Sequence, residues 1–346
     1  MARSFKFIKI FLAFSLLCGC ILSNKFLTYN TFLELSVQSP NFFSKTPDEE
    51  FLYVFSKKEN EFLIYDWTSK EPIQKFPSNL LPDSLIFNGD FAYLLGRTTP
   101  EGSANLLKIN IKKNFLSQGS INLGSSFISF FSTLSADGKT LYLSNVNEPF
   151  LILVDTASLK IDKKIPLSHK GVLDVEISHD ESRAYVTHGF SPIISVIDLN
   201  AKKQIASINQ IGKMPSGLAL NSEGTLLYVA DNIDPLVTII DINNNKKIDE
   251  VRIHENPKEN RKEKFEEKGF FKCCADLEND PIHGNWYVLN PYMDHVMVFS
   301  EKDNQAFGVF PIDESTTSLA FNFQKNLMAI GMEYEDKIII KKRNNS

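Results

Sequence analysis

The sequence is poor in the residues that mark metal and redox centres. Its 346 residues include four cysteines and six histidines, and they form neither a Cys-x-x-Cys-His haem motif nor the Cys/His spacing of a zinc site. The six histidines are His169, His179, His188, His254, His283 and His295. All of them except His295 are predicted to lie in loops or at strand ends. We therefore predict no metal ion and no cofactor.

The sequence also lacks excess positive charge. It has 37 Lys and Arg against 42 Asp and Glu, a formal net charge of −5. Removing residues 1–19, which hold three basic residues and no acidic one, changes −5 to −8. A chain this acidic has no general attraction to nucleic acid or to anionic lipid, so we predict no nucleic-acid partner.

Two of the few cysteines, Cys273 and Cys274, are adjacent. A disulfide between neighbours holds the Cα atoms about 3.8 Å apart, less than the usual roughly 4.4–6.8 Å, so it would be strained and easily reduced. Two ordinary thiols, a vicinal disulfide and a metal-binding pair remain open. None of the three predicts an enzyme.

What the sequence does contain is a repeat. One pattern is written twice between Val172 and Ile253, with Tyr185 and Tyr228 lying 43 residues apart. A third copy has its tyrosine, Tyr142, another 43 residues earlier. Each copy holds four short apolar runs separated by turn residues, which predicts four strands per repeat. A four-stranded repeat of about 40–45 residues is typical of a propeller blade.

The second strand of each clear copy carries a further resemblance. The runs Tyr142–Asn145, Tyr185–His188 and Tyr228–Asp231, with the following Ser195–Asp198, resemble the YVTN family of bacterial β-propeller repeats. His188 and Asp231 stand where that family has asparagine. The resemblance implies the propeller fold and says little about function, because these propellers have many unrelated roles.

The N-terminal 19 residues are predicted to be a signal peptide. Three basic residues precede the apolar run Ile10–Leu17, which is too short to span a membrane. The sequence Leu17–Cys20 resembles the lipobox of bacterial lipoproteins, which implies that Cys20 carries the lipid and that residues 20–30 form a tether. The alternative is ordinary signal cleavage nearby that leaves Cys18 or Cys20 as a free or paired thiol. Because Ile21 is not an aspartate, the resemblance implies an outer-membrane lipoprotein, periplasmic or surface-exposed.

Counting strands predicts an all-β fold, a seven-bladed β-propeller of four-stranded antiparallel blades in a single domain, residues 31–346. The polar run 254–269 is an insertion after the fifth blade. The seventh blade has three strands of its own, and the unpartnered N-terminal strand 31–37 supplies the fourth and closes the ring. The alternative is a six-bladed ring in which residues 40–76 pack differently.

Strand directions predict where the polar residues gather. The face reached by the connections between blades, called the top here, should collect Asn145 and the candidate binding residues His188, Asp231, Asn232, Asn290, Cys273 and Cys274. Asp174 and Glu176 alternate on an inner strand and are predicted to line the central channel, where they could bind a cation.

The leading hypothesis is a monomeric, non-catalytic envelope scaffold that binds an envelope or extracellular protein, or another ligand, on its top face. The second is an enzyme, because some propellers resemble lactonases or quinoprotein dehydrogenase subunits. The third is a surface adhesin.

Overall fold

The computed structural model describes residues 29–128, 131–234, 236–252, 276–289, 295–312 and 316–344. Within these ranges, 28 strands form seven four-stranded antiparallel sheets arranged in a ring, a seven-bladed β-propeller. In that part of the chain no helix has the length and apolar character needed to cross a membrane.

The first three blades in chain order follow the N-terminal strand β1 (Tyr29–Ser36). Blade one contains β2 (Pro40–Lys45), β3 (Phe51–Ser56), β4 (Glu61–Asp66) and β5 (Gln74–Pro77). Blade two contains β6 (Leu81–Asn88), β7 (Phe91–Arg97), β8 (Ala104–Asn110) and β9 (Leu116–Gly124). Blade three contains β10 (Ser132–Leu134), β11 (Thr140–Leu143), β12 (Phe150–Asp155) and β13 (Lys160–Pro166).

The remaining four blades follow the same order. Blade four contains β14 (Val172–Ile177), β15 (Arg183–His188), β16 (Ile193–Asp198) and β17 (Lys203–Asn209). Blade five contains β18 (Pro215–Leu220), β19 (Leu226–Asp231), β20 (Leu236–Asp241) and β21 (Lys246–Arg252). Blade six contains β22 (Asp276–Asp280), β23 (Asn285–Leu289), β24 (His295–Ser300) and β25 (Ala306–Pro311). Blade seven contains β26 (Thr316–Asn322), β27 (Leu327–Met332) and β28 (Lys337–Arg343), with a 3₁₀ turn at Glu333–Glu335.

Burial follows position within a blade. The third strand β16 reads Ile-Ile-Ser-Val-Ile-Asp and is buried on both faces, because a blade lies against each side of it. The outermost strand β17 alternates exposed and partly buried residues. Outermost strands also carry many charged side chains, which protect an open sheet edge from pairing with another chain.

The recurring aspartates at the ends of third strands form turns, as their repetition predicts. Asp155 Oδ1 accepts hydrogen bonds from the Ser158 amide at 2.7 Å and the Ser158 hydroxyl at 2.6 Å. Asp198 and Asp241 accept backbone amides in the same turn of their own blades. These bonds satisfy turn amides that the strand ladder leaves unpaired.

The predicted closure by the N-terminal strand is confirmed. Strand β1 pairs antiparallel with β28 and is the outermost strand of blade seven, in the order β1-β28-β27-β26. The Val37 amide extends the pairing with a hydrogen bond of 3.0 Å to the Asp336 carbonyl. The strand begins at Tyr29, two residues earlier than predicted. The ring therefore has seven blades, and the six-bladed alternative is wrong.

Seven apolar clusters hold the blades together, one at each junction of neighbouring blades. Six of them contain the buried tyrosine of a second strand: Tyr53, Tyr93, Tyr142, Tyr185, Tyr228 and Tyr287. The seventh, between blades seven and one, has Ala329 at the tyrosine position and contains Trp67 and Leu35. Leu35 of the N-terminal strand thus belongs to the core.

The strand directions fix the two faces. The top is the face where each innermost strand begins, and the bottom is the face where it ends. Arg252, which ends β21, and Asp276, which begins β22, both lie at the top. The predicted insertion 254–269 lies between them and outside the described residues.

Candidate functional site

Several residues at or just after the ends of second strands hold the connection between blades. The side chains of Ser56, Asn145 and His188 each bond the backbone 17 or 18 residues earlier, at the approach to the innermost strand of the same blade. The fourth residue of this kind, Asp231, does the same with two amides. Asn145, His188 and Asp231 are spaced by 43 residues, so the repeat places one polar group at one structural joint in successive blades.

His188 is fully buried in this joint. Its Nδ1 lies 3.1 Å from the Lys170 carbonyl oxygen and its Nε2 lies 2.8 Å from Ser195 Oγ. Because a carbonyl only accepts, Nδ1 carries the proton and Nε2 accepts from the serine hydroxyl. Burial lowers the pKa of His188 to about 4, so the ring is neutral at physiological pH.

Asp231 is also buried at the top face, where it organises two loops. Its Oδ2 accepts the amides of Lys213 and Met214, each at 2.7 Å. Its Oδ1 accepts the amides of Ile233 and Asp234 at 2.8 and 2.7 Å. Gly212 precedes this loop with φ +58°, and a Cβ there would collide with the Asp231 carboxylate. A carboxylate that accepts four amides is suited to fixing the loop.

Asn232 lies beside that joint and is buried. Its Oδ1 lies 3.2 Å from the Ser216 hydroxyl on the innermost strand. The candidate top-face residues that the structure describes are therefore buried below the top surface, where they hold its loops and strand ends in place. Whether they contact a bound molecule stays a prediction. Asn290, Cys273, Cys274 and Cys20 lie outside the described residues.

Asp174 and Glu176 lie in the wall between blades four and five. Asp174 Oδ2 accepts the Leu218 amide at 2.7 Å, and Glu176 Oε1 accepts the Leu220 amide at 3.1 Å. Thr187 adds a third link, donating its hydroxyl to the Ser216 carbonyl at 2.7 Å. Both carboxylates thus join adjacent innermost strands. Over the described ranges, no three His, Cys, Asp or Glu side chains are grouped to hold a metal ion.

Lys45, at the junction where the ring closes, also links neighbouring blades, and the sequence did not predict this role. Lys45 Nζ lies 2.9 Å from Glu49 Oε1, 3.3 Å from Glu278 Oε2 and 2.7 Å from the Phe321 carbonyl oxygen. It thereby joins blade one to blades six and seven. Burial opposes its positive charge, but the two carboxylates outweigh burial, so the pKa of Lys45 is raised. The partners are 233 and 276 residues away, and no local pattern indicates them.

A largely buried ion pair lies near the top of blade two. Asp83 sits at the irregularity in β6 between Pro82 and Ser84. Its Oδ2 is 3.4 Å from Arg97 Nε. Burial raises the pKa of Asp83 to about 6, against the lowering effect of Arg97.

The top face also exposes apolar side chains that the sequence analysis did not single out. Phe190 is 71% exposed and Ile233 is 52% exposed, in the turns that follow β15 and β19. They are 43 residues apart and occupy the same position in adjacent blades. Tyr334, in the corresponding turn of blade seven, is also exposed. The repeat spacing could have revealed the Phe190–Ile233 pair.

Its seven four-stranded blades, closed into a ring, define the chain as a seven-bladed β-propeller. No protein-family model matches the sequence, and no curated protein matches it. Solved structures do match, 1591 chains in all. One is a chain of Kuenenia stuttgartiensis hydrazine synthase, with a TM-score of 0.68, 13% identity, and coverage of 91% of this chain and 98% of that chain. At 13% identity the likeness shows the fold alone.

Proposed function

We propose that this protein is a non-catalytic β-propeller scaffold that is held at the cell envelope by a lipid on Cys20 and binds a partner protein on its top face. The observation that carries the proposal is the exposed pair Phe190 and Ile233. Single exposed apolar residues are ordinary, but two at equivalent turns of adjacent blades give one face a repeated apolar contact. Exposed apolar surface bordered by polar groups is typical of protein interaction sites.

The rigidity of the supporting frame favours binding. Asp231 fixes the loop that carries Ile233, because it accepts the Ile233 amide itself. The turn of Phe190 begins at His188, whose ring is held from two sides. Turns fixed in this way lose little conformational freedom when a partner docks, which favours affinity.

The contacts of the two inner-strand carboxylates favour a binding role over hydrolysis. A lactonase would need charged groups directed at a substrate. Asp174 and Glu176, the best carboxylate candidates from the sequence, are instead hydrogen-bonded to backbone amides of the next blade. These hydrogen bonds join the innermost strands of blades four and five.

The anchor is tested by fractionation. Full-length protein expressed in bacteria should sediment with membranes, and the Cys20→Ala variant should be released in soluble form. Recovery of both proteins in the soluble fraction would contradict the anchor.

The partner face is tested by comparing captured proteins between matched variants. Phe190→Ser combined with Ile233→Ser should abolish capture of the specific partner from envelope extracts. The control, Ile205→Ser combined with Ile248→Ser, changes exposed apolar residues on the outermost strands of the same two blades and should retain the partner. A deletion of residues 254–269 measures whether the insertion contributes. Equal loss in both double variants would discard the top face as the binding surface.

A further inference from the structure

The point where the chain enters the propeller is fixed by contacts on both sides. Tyr29, the first residue of β1, lies opposite Arg343 at the bottom end of β28. Its hydroxyl is 3.4 Å from the hydroxyl of Tyr287 in blade six. The chain that precedes Tyr29 therefore joins the fold at the bottom face, at the junction of blades six and seven.

The distance to the proposed lipid site limits how the propeller can lie. Cys20 precedes Tyr29 by nine residues, and nine residues can span at most about 30 Å. Strand β1 has eight residues and at about 3.3 Å per residue it rises about 26 Å from bottom to top. If the top face lay on the membrane, the nine residues would have to run the whole height of β1 and would be almost fully extended. The bottom face reaches it easily.

The surface around this entry point has the chemistry of a membrane contact. Ile282 is 55% exposed in the bottom turn of blade six, and Phe32 on β1 is also exposed. Lys342 Nζ lies 5.8 Å from the centre of the Phe32 ring. Asp280, at the start of the Ile282 turn, is 3.6 Å from Arg343 Nη1, so the turn and the strand ends are neighbours. We call this surface the anchor corner: Phe32, Ile282, Lys341 and Lys342.

The charge of the anchor corner differs from that of the chain as a whole. The three segments that meet at the bottom of blade seven, residues 29–33, 322–326 and 339–344, contain no acidic residue and four basic ones: Lys325, Lys341, Lys342 and Arg343. The blade-six turn that carries Ile282, residues 280–284, adds one acidic residue, Asp280. Arg343 pairs with Asp280 and Lys325 lies near Asp66, while Lys342 is exposed. Lysines beside exposed apolar side chains suit the interface of an anionic bilayer.

We propose that the anchor corner rests on the anionic phospholipid bilayer to which Cys20 is anchored, so that the top face points away from the membrane. The inference depends on the proposed lipidation of Cys20. It gives the propeller one orientation, in which Phe190 and Ile233 stay accessible to a partner arriving from the aqueous side.

Photo-crosslinking of the lipidated full-length protein tests the orientation. The protein is reconstituted into vesicles of phosphatidylglycerol and phosphatidylethanolamine, with p-benzoylphenylalanine replacing either Ile282 or Phe190. Both positions are exposed turn residues, so neither replacement disturbs the core, and thermal unfolding checks this. The mass of the N-terminal peptide reports the lipid on Cys20.

Position 282 should crosslink to phospholipid at least several-fold more than position 190. Changing Lys341 and Lys342 together to Glu should reduce crosslinking at 282 several-fold, because each lysine near an anionic surface contributes attraction. A lipidated protein that crosslinks equally or more strongly through position 190 overturns the orientation alone. A protein without lipid on Cys20 overturns the anchoring and the orientation with it.

Discussion

Leu35 lies opposite Ile338 in the antiparallel pair of β1 and β28, so the two ends of the chain complete one blade. Both side chains are buried in the cluster between blades seven and one. This cluster takes the place that a tyrosine-centred cluster occupies at the other six junctions. Closure of the ring thus rests on the strand ladder and on apolar packing that the N-terminal strand supplies.

Leu35→Ala should lower the free energy of unfolding by about 2–5 kcal/mol, because it opens a cavity in a closed core. The matched control is Glu34→Ala, which changes the exposed neighbour opposite Ile339 and should stay within about 0.5 kcal/mol. Denaturant unfolding measures both. Equal stability of the two variants would show that β1 does not pack in the core.

Asp174→Ala should lower the free energy of unfolding by about 1–3 kcal/mol, because the buried Leu218 amide loses its carboxylate acceptor. Glu223→Ala, an exposed change at the bottom of blade five, is the control and should have little effect. Urea titration of both variants measures the difference. A destabilisation no larger than that of the control would remove Asp174 from the inter-blade wall.

His188→Asn should make the protein less sensitive to acid. The pKa of His188 is about 4 in the folded protein, lowered by burial from 6.5. As the pH falls below about 6.5 the unfolded chain takes up a proton that the folded chain does not, so stability is lost down to about pH 4. Asparagine already occupies this position in blade three, as Asn145, so the variant suits the joint.

The free energy of unfolding of the wild type should fall more steeply than that of His188→Asn between pH 6.5 and 4. Parallel curves, or a His188 ring resonance that titrates near 6.5, would contradict the buried neutral imidazole.

Asp83→Asn should reveal the opposite pH dependence. Burial raises the pKa of Asp83 from 3.8 to about 6, so its stabilising contribution is fully present below about pH 4 and is lost as the pH rises through 6. The stability of the wild type relative to Asp83→Asn should therefore decline between pH 4 and 6 and be constant above. The measurement is denaturant unfolding at a series of pH values. A relative stability that is constant between pH 4 and 6 and falls only as the pH drops below about 4 would mean that Arg97 outweighs burial.

The sequence predicted the ring well because the signals that define it are local or periodic. Alternating apolar residues mark the strands, the 43-residue spacing sets the blade, and the missing fourth strand of blade seven finds its partner at residues 31–37. Side-chain surroundings are harder to predict. His188 and Asp231 end strands, where solvent is close, but the connecting segment folds over them and buries both.

Long-range partners explain the other differences. Lys45 meets Glu278 across 233 residues, and only the closed ring brings them together. The exposed pair Phe190 and Ile233 could have been predicted, because the two residues are 43 positions apart, the length of the repeat. The sequence prediction chose the polar residues at the neighbouring strand ends instead.

The closure of blade seven and the entry point of the tether both follow from the pairing of β1 with β28. Hydrogen exchange of the full-length protein, followed by mass spectrometry on peptides that cover residues 29–37 and 337–344, tests this pairing most directly. The amides of β1 that bond to β28 should exchange as slowly as their partners in β28, through opening of the whole blade. Exchange of residues 29–37 within seconds, while residues 337–344 stay protected, would contradict the closure and the orientation derived from it.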